Sequence, residues 1–160
     1  MTRIDFKMPV LFVDDIDRSR NFYSRVLGLV VENDFGENIS FIDSISLWDK
    51  DKAKDIIFSG KGKFHGNYGK EIVELYFEAD DIEKVSESVK KHNVKEIHGL
   101  REEPWGQRVL RFYDPDDFII EIAEPMGSVV ARLNSKGHDI EYIQKKTQLD
   151  IEIVKSILGI

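Results

Sequence analysis

Val13-Asp14-Asp15-Ile16-Asp17-Arg18 and, 66 residues further on, Ala79-Asp80-Asp81-Ile82-Glu83-Lys84 share one local design. In each, an apolar strand runs into paired aspartates that start a helix, and a basic residue follows in the next turn. Upstream of the first copy, Met8 to Val13 reads as the strand; downstream, Ile16, Phe22, Tyr23, Val26 and Leu27 recur at helical spacing until Gly28 ends the helix. In the second copy the strand is Ile72 to Phe77, and the helix stripe is Ile82, Val85 and Val89. Three further strands follow each helix: Leu29 to Phe35, Asn38 to Ile42 and Ser44 to Trp48 in the first, then Val94 to Leu100, Arg108 to Tyr113 and Phe118 to Ala123 in the second. The shared order of elements makes duplication the explanation and predicts an α+β fold of two βαβββ repeats, about residues 4–50 and 70–125. The charged stretch 51–69, with Gly60, Gly62, Gly66 and Gly69 around a short apolar piece, Ile56 to Phe58, is expected as the mobile linker.

At 160 residues and 41% hydrophobic content, the chain suits one domain with an appendage, here 1–126 followed by 127–160. Its formal charge of −7, with both signs mixed along the chain, argues against nucleic-acid or anionic-membrane partners and leaves room for a small cationic ligand. The lack of cysteine excludes disulfides, thiolate metal sites and a cysteine nucleophile. Met1 to Lys7 carries no signal-like apolar run and no stretch reaches membrane-span length, so a cytoplasmic protein is expected.

Leu11 to Ser19, followed by Phe22-Tyr23 and Val26-Leu27-Gly28-Leu29, resembles the opening strand and helix of the vicinal oxygen chelate superfamily of glyoxalases, bleomycin-resistance proteins and extradiol dioxygenases. Asp114-Pro115-Asp116 with Ile119-Ile120-Glu121-Ile122 resembles that superfamily's closing hairpin, usually written DPDG, with Asp117 where glycine is usual. Aspartate tolerates the left-handed backbone better than most residues, so the turn is expected to survive. The resemblance spans about residues 4 to 125 and implies that the repeats form a cupped mixed β-sheet.

Members that are metalloenzymes place one ligand on each of four strands, typically two histidines and two glutamates; the matching positions here are Met8, Ser46, Glu74 and Glu121. A thioether and a hydroxyl are poor substitutes for imidazole and carboxylate, so no bound metal is expected, the alternative being a divalent ion held through Glu74 and Glu121. Strand alternation supports the same positions: Leu75 and Phe77 fall on one face, and Glu74 and Tyr76 on the other. The same parity puts Met8 and Phe12, Ser46 and Trp48, and Glu121 on the cup face. Glu74 and Glu121 are then the candidate catalytic carboxylates, in a pocket walled by Tyr76, Trp48 and Phe12, and Trp105-Gly106-Gln107-Arg108 resembles a stretch that often edges the superfamily's ligand cavity. A cationic or hydrogen-bond-donating organic molecule fits such walls, and desolvation would raise a carboxyl's pKa toward acid–base use. Also open is that one or both glutamates are solvated or paired with Arg108 or Arg111. His65, His92, His98 and His138 fall at none of the ligand positions, and each is expected in a surface or structural role.

From Ser128 the pattern turns helical, and Gly137-His138-Asp139-Ile140 onward resembles a small helix-turn-helix. Its second helix carries Asp150 and Glu152 against one Lys155, a balance unsuited to phosphates, so a cover for the sheet edge or a subunit interface is expected instead. Three functions stay open. The first is a homodimer binding a small organic ligand in the cup without metal. The second is a glyoxalase-like lyase or isomerase using Glu121 and Glu74, with or without a divalent metal. The third is an interaction protein acting through its helical tail. Whether the chain is an enzyme is left undecided.

Overall fold

Both aspartate pairs start helices. Asp15 accepts a bond from the Arg18 amide at 2.9 Å and Asp81 one from the Lys84 amide at 3.1 Å, each satisfying a first-turn donor that lacks a helical partner. In this computed structural model, which describes residues 7–62, 64 and 73–160, those helices are α1 (Ile16–Arg25) and α3 (Ile82–Lys91). The chain forms two compact units, the first containing the 114–118 turn besides the first repeat, the second containing the rest of the second repeat and the extension. Met1 to Phe6, and the expectations placed on His65, Gly66, Gly69 and Ile72, lie outside the described residues.

In the first unit, β1 (Val10–Val13) runs parallel to β4 (Ser46–Asp49), and β3 (Asn38–Phe41) and β2 (Val31–Asp34) follow antiparallel. In the second, β5 (Glu74–Glu78) runs parallel to β8 (Ile119–Ala123), and β7 (Arg108–Tyr113) and β6 (Glu96–Glu102) follow antiparallel. Each repeat therefore closes its own open, mixed, four-stranded sheet, in the same order, with its first strand beside its last. The duplication read from the aspartate pairs extends to hydrogen-bond topology. One face of each sheet is apolar. Leu11, Val13, Ile39, Phe41 and Leu47 are buried with Phe22 and Tyr23 of α1, and Leu75, Leu110, Phe112, Ile120 and Ile122 with Ile82 and Val89 of α3. Each such large side chain contributes about 1.5–3 kcal/mol on burial.

The turn 114–118 is built from its aspartates. Asp114 accepts from the Tyr23 hydroxyl at 2.7 Å and from the Asp116 and Phe118 amides, while Asp116 accepts from the Asp14 amide, Arg18 and the Ser19 hydroxyl. Asp117 adopts a φ of 64°, the left-handed backbone that the sequence requires of it. Burial pushes the Asp114 carboxyl up to about 6, against the opposing pull of the Tyr23 bond and the two amides. Folded Asp114 thus holds its proton to higher pH than the unfolded chain does. Its contribution to stability is complete below about pH 4 and is lost as pH rises through about 6, on the order of 2–3 kcal/mol. Subtracting the Asp114→Asn unfolding free energy from that of the parent at a series of pH values should reveal this decline; a flat difference between pH 4 and 7 would contradict it.

The stretch read as a linker begins instead with a helix, α2 (Lys50–Ile57), capped by Asp49, which accepts from the Lys52 amide at 3.0 Å. Only Ala53 of this helix is buried, so no apolar stripe announces it in the sequence. Beyond it, Gly62 passes so close to Phe58 that a Cβ there would come within 2.4 Å of the ring.

The extension comprises α4 (Met126–Ser135), α5 (Ile140–Thr147) and α6 (Ile151–Leu158). Val129, Val130, Leu133, Ile143 and Val154 form a separate apolar cluster at its centre. Asp139 and Asp150 cap α5 and α6, and Gln148, at a φ of 60°, makes the turn between them. Among the described residues, no helix is long and apolar enough to cross a membrane.

Candidate functional site

The polar face of the second sheet carries the densest chemistry. Alternation and register set Tyr76 of β5 opposite Glu121 of β8, and Glu121 opposite Arg111 of β7. Arg111 is the hub. Its Nε donates to Glu74 Oε2 at 3.1 Å, its Nη1 to Glu103 Oε1 at 3.0 Å and to His98 Nε2 at 3.1 Å, and its Nη2 forms an ion pair with Glu121 Oε2. The His98 Nδ1 lies 2.9 Å from the Gly99 carbonyl, an acceptor only. These partners assign His98 the tautomer with its proton on Nδ1 and its Nε2 lone pair toward the guanidinium. Arg101 adds a second cation, bonded to Glu103 at 3.0 Å.

Glu121 is 4% exposed. Its Oε2 is buried against the Arg111 guanidinium, with which it forms an ion pair. Burial pushes its pKa up, aided by the neighbouring Glu74 and Glu103 charges, and this outweighs the opposing charge and hydrogen bond of Arg111. Burial also acts on Glu103, but there the bonds from Arg101 and Arg111 win and hold the carboxyl below the usual range. Among the described residues, the carboxylates of Glu74, Glu103 and Glu121 face the guanidiniums of Arg101 and Arg111, which leaves one uncompensated negative charge.

Beside this cluster, the Tyr76 hydroxyl donates to Glu78 at 2.9 Å and accepts from Gln107 Nε2 at 3.2 Å. Burial and the bond to Glu78 push the phenol's pKa up. Trp105 donates through Nε1 to Gln107 Oε1 at 2.9 Å, and Gln107 also donates to the Glu124 carbonyl at 2.8 Å. A polar chain thus ties the indole before β7 to the phenol on β5. Both rings keep exposed surface, 50% for Tyr76 and 36% for Trp105.

Arg108 is placed elsewhere. Three residues from Arg111 in a regular strand, it points to the opposite face, where it pairs with Glu83 of α3 and with Glu124. Glu124 also accepts from Arg132 of α4, whose Nη2 bonds the Gly106 carbonyl at 2.6 Å. The extension is thereby fastened to the loop that carries Trp105 and Gln107.

In the first unit, Phe12 lies opposite Trp48 and Val10 opposite Ser46. The Phe12 ring is tilted against Trp48 at 6.3 Å and stacked on Phe64 at 4.8 Å. No sequence pattern announces Phe64, which sits between Gly62 and Gly66 with no periodic neighbour. The Ser46 hydroxyl, 5% exposed, donates to the Ile39 carbonyl at 3.0 Å, and Met8 precedes β1 half-buried. Of the other histidines, His92 bonds the Ser88 carbonyl at the end of α3, and His138 stacks on Tyr142.

A divalent ion does not fit the four positions the superfamily implies. The Ser46 hydroxyl is engaged within its own sheet, Met8 supplies only a thioether, and Glu74 and Glu121 are already charge-paired with Arg111. Among the described residues, no three His, Asp or Glu side chains are grouped so as to hold a metal ion.

Twin four-stranded mixed sheets, each carrying its helix on one face, define a paired βαβββ protein of the vicinal oxygen chelate class. Residues 6–127 match the model of the glyoxalase-like domain, and the chain belongs to that family. It is 29% identical over 122 residues to the uncharacterized protein YraH of Bacillus subtilis, covering 70% of this chain and 91% of that protein. Among solved structures, a protein of unknown function from Agrobacterium tumefaciens aligns with a TM-score of 0.70 and 35% identity, over 78% of this chain and 97% of its own. A glyoxalase/bleomycin resistance protein/dioxygenase from Nocardioides shares the fold at a TM-score of 0.60 and 18% identity, over 78% and 85% of the two chains. The family match stops at 127, so nearly all of the helical extension lies beyond it.

Proposed function

We propose that the chain binds a small cationic organic molecule on the polar face of its second sheet, over Glu121, Glu74 and Tyr76, without a divalent metal. The observation that carries this reading is the carboxylate cluster: among the described residues, Glu74, Glu103 and Glu121 outnumber the guanidiniums of Arg101 and Arg111 by one negative charge, and Glu74 is exposed. A ligand N⁺–H compensates that charge, and such charge-assisted bonds are about twice as strong as neutral ones. The exposed faces of Tyr76 and Trp105 offer ring stacking and cation–π contact beside it.

The test is a thermal-shift screen of cationic aromatics, benzamidinium among them, against isosteric neutral amides. Cationic members should stabilise the parent and lose at least about tenfold in affinity for Glu121→Gln, the cost of one charged hydrogen bond. Because burial raises the Glu121 pKa, affinity should fall as pH is lowered through that raised value, since the protonated carboxyl no longer attracts a cation. Binding that ignores both the substitution and the acid limb would refute the assignment.

The raised Glu121 pKa also favours a second reading, a glyoxalase-like lyase or isomerase in which this carboxylate moves a proton. A turnover that disappears in Glu121→Gln while ligand affinity persists would support it; turnover retained in that variant would exclude it.

A further inference from the structure

Arg111 is held by more acceptors than charge balance requires. Four different side chains converge on one guanidinium: Glu74 on Nε, Glu103 and His98 on Nη1, and Glu121 on Nη2. They come from three strands and the turn after β6, so separate elements are spent on a single planar cation. The His98 tautomer belongs to the same design, because its Gly99 bond turns an imidazole lone pair, rather than an N–H, toward Arg111. Glu121, 4% exposed, lies at the inner wall with its Oε2 against Arg111 Nη2. Glu74 and Glu121, the only carboxylates at the superfamily's ligand positions, are both drawn into this ring.

We propose that Glu74, Glu103, Glu121 and His98 form a cradle selective for a planar guanidinium, whose resident occupant is Arg111, and that this tethered cation stands in place of a divalent ion. A guanidinium spreads its charge over a plane and presents five N–H donors in a fixed fork, which suits four acceptors arranged around its edge. A divalent ion instead demands that its donors close to about 2 Å on one point. The tethered cation makes the polar face independent of metal supply while leaving it one positive charge short of neutral. The cradle shares its face with the ligand site proposed above but does not depend on which ligand is bound there.

The experiment compares the full-length parent with Arg111→Ala by thermal unfolding, with guanidinium chloride, tetramethylammonium chloride or manganese chloride added. Removing the guanidinium from three carboxylates should lower the Tm by about 8 °C. Guanidinium at about 10 mM should then restore about 2–4 °C to the variant, by mass action on the vacated cradle, and nothing to the parent. Tetramethylammonium has the charge but no N–H groups, and should restore nothing. A variant that responds equally to both cations, or to neither, overturns the cradle. A parent that takes up stoichiometric manganese overturns the replacement of the metal. Should Arg111→Ala give no cooperative melt, Arg111→Lys decides the matter. A point charge with three donors should melt several degrees below the parent and ignore added guanidinium, whereas parental stability would mean that any cation suffices. None of these outcomes depends on a cationic aromatic binding over Glu121, so failure here is distinguishable from failure of the proposed function.

Discussion

Glu124→Ala should lower the unfolding free energy by about 3–5 kcal/mol, the cost of stripping the shared partner from buried charges. Glu124 is 3% exposed and is the carboxylate that Arg108 and Arg132 have in common. Arg132 keeps Glu102 and the Gly106 carbonyl, and Arg108 keeps Glu83, but without Glu124 the two guanidiniums repel each other across the vacated space. For a chain of this length the loss corresponds to a Tm drop of about 10 °C. The pH dependence has a definite sign. Burial pushes the Glu124 carboxyl up, yet the bonds from Arg132 and Arg108 hold it below the usual range. A depressed folded pKa gives stability that is present above the unfolded value and is lost as pH falls through the folded one. Chemical unfolding from pH 3 to pH 7 should show the parent losing stability in acid while Glu124→Ala starts low and changes less. A variant within 1 kcal/mol of the parent at pH 7 would contradict the network's role.

Ile143→Ala should cost about 2–5 kcal/mol, in a different place. Ile143 is fully buried among Val129, Val130, Leu133 and Val154, and this cluster belongs to α4, α5 and α6 alone. The cavity therefore weakens the extension first. Amide exchange should show protection falling in Met126–Ser135, Ile140–Thr147 and Ile151–Leu158 before it falls in β5, β7 and β8. The Trp105 loop should respond as well, because Arg132 donates to the Gly106 carbonyl and a Cβ on Gly106 would touch Lys146 and Leu133. Uniform loss of protection across the chain would show that the extension and the second sheet unfold as one body.

What was legible in the sequence was local. Asp15 and Asp81 cap their helices where the paired aspartates announce them, because a cap depends on three or four consecutive residues. The alternation that separates Glu74 and Tyr76 from Leu75 and Phe77 is likewise internal to one strand, and β5 obeys it. Partnership across strands was less legible. Arg108 and Arg111 were both open as partners for the glutamates, and their three-residue spacing in a regular strand decides between them only when that regularity is known. Glu103 was passed over because it follows β6, whose register slips between Glu96 and His98 and again between His98 and Arg101, so counting by twos fails there. Helix α2 leaves no stripe in the sequence because Ala53 alone turns inward. The chemistry of the site therefore sits where bulges and register decide direction, while the fold sits where short patterns do.

Binding at the polar face of the second sheet is tested most directly by titrating isotope-labelled protein with benzamidinium and following backbone amide shifts. Perturbations should cluster at Glu74, Tyr76, Arg111 and Glu121, extend through Gln107 to Trp105, and vanish in Glu121→Gln. Saturable perturbations confined to α6 or to the Phe12 and Trp48 patch, with Glu121 and its neighbours unmoved, would contradict that placement.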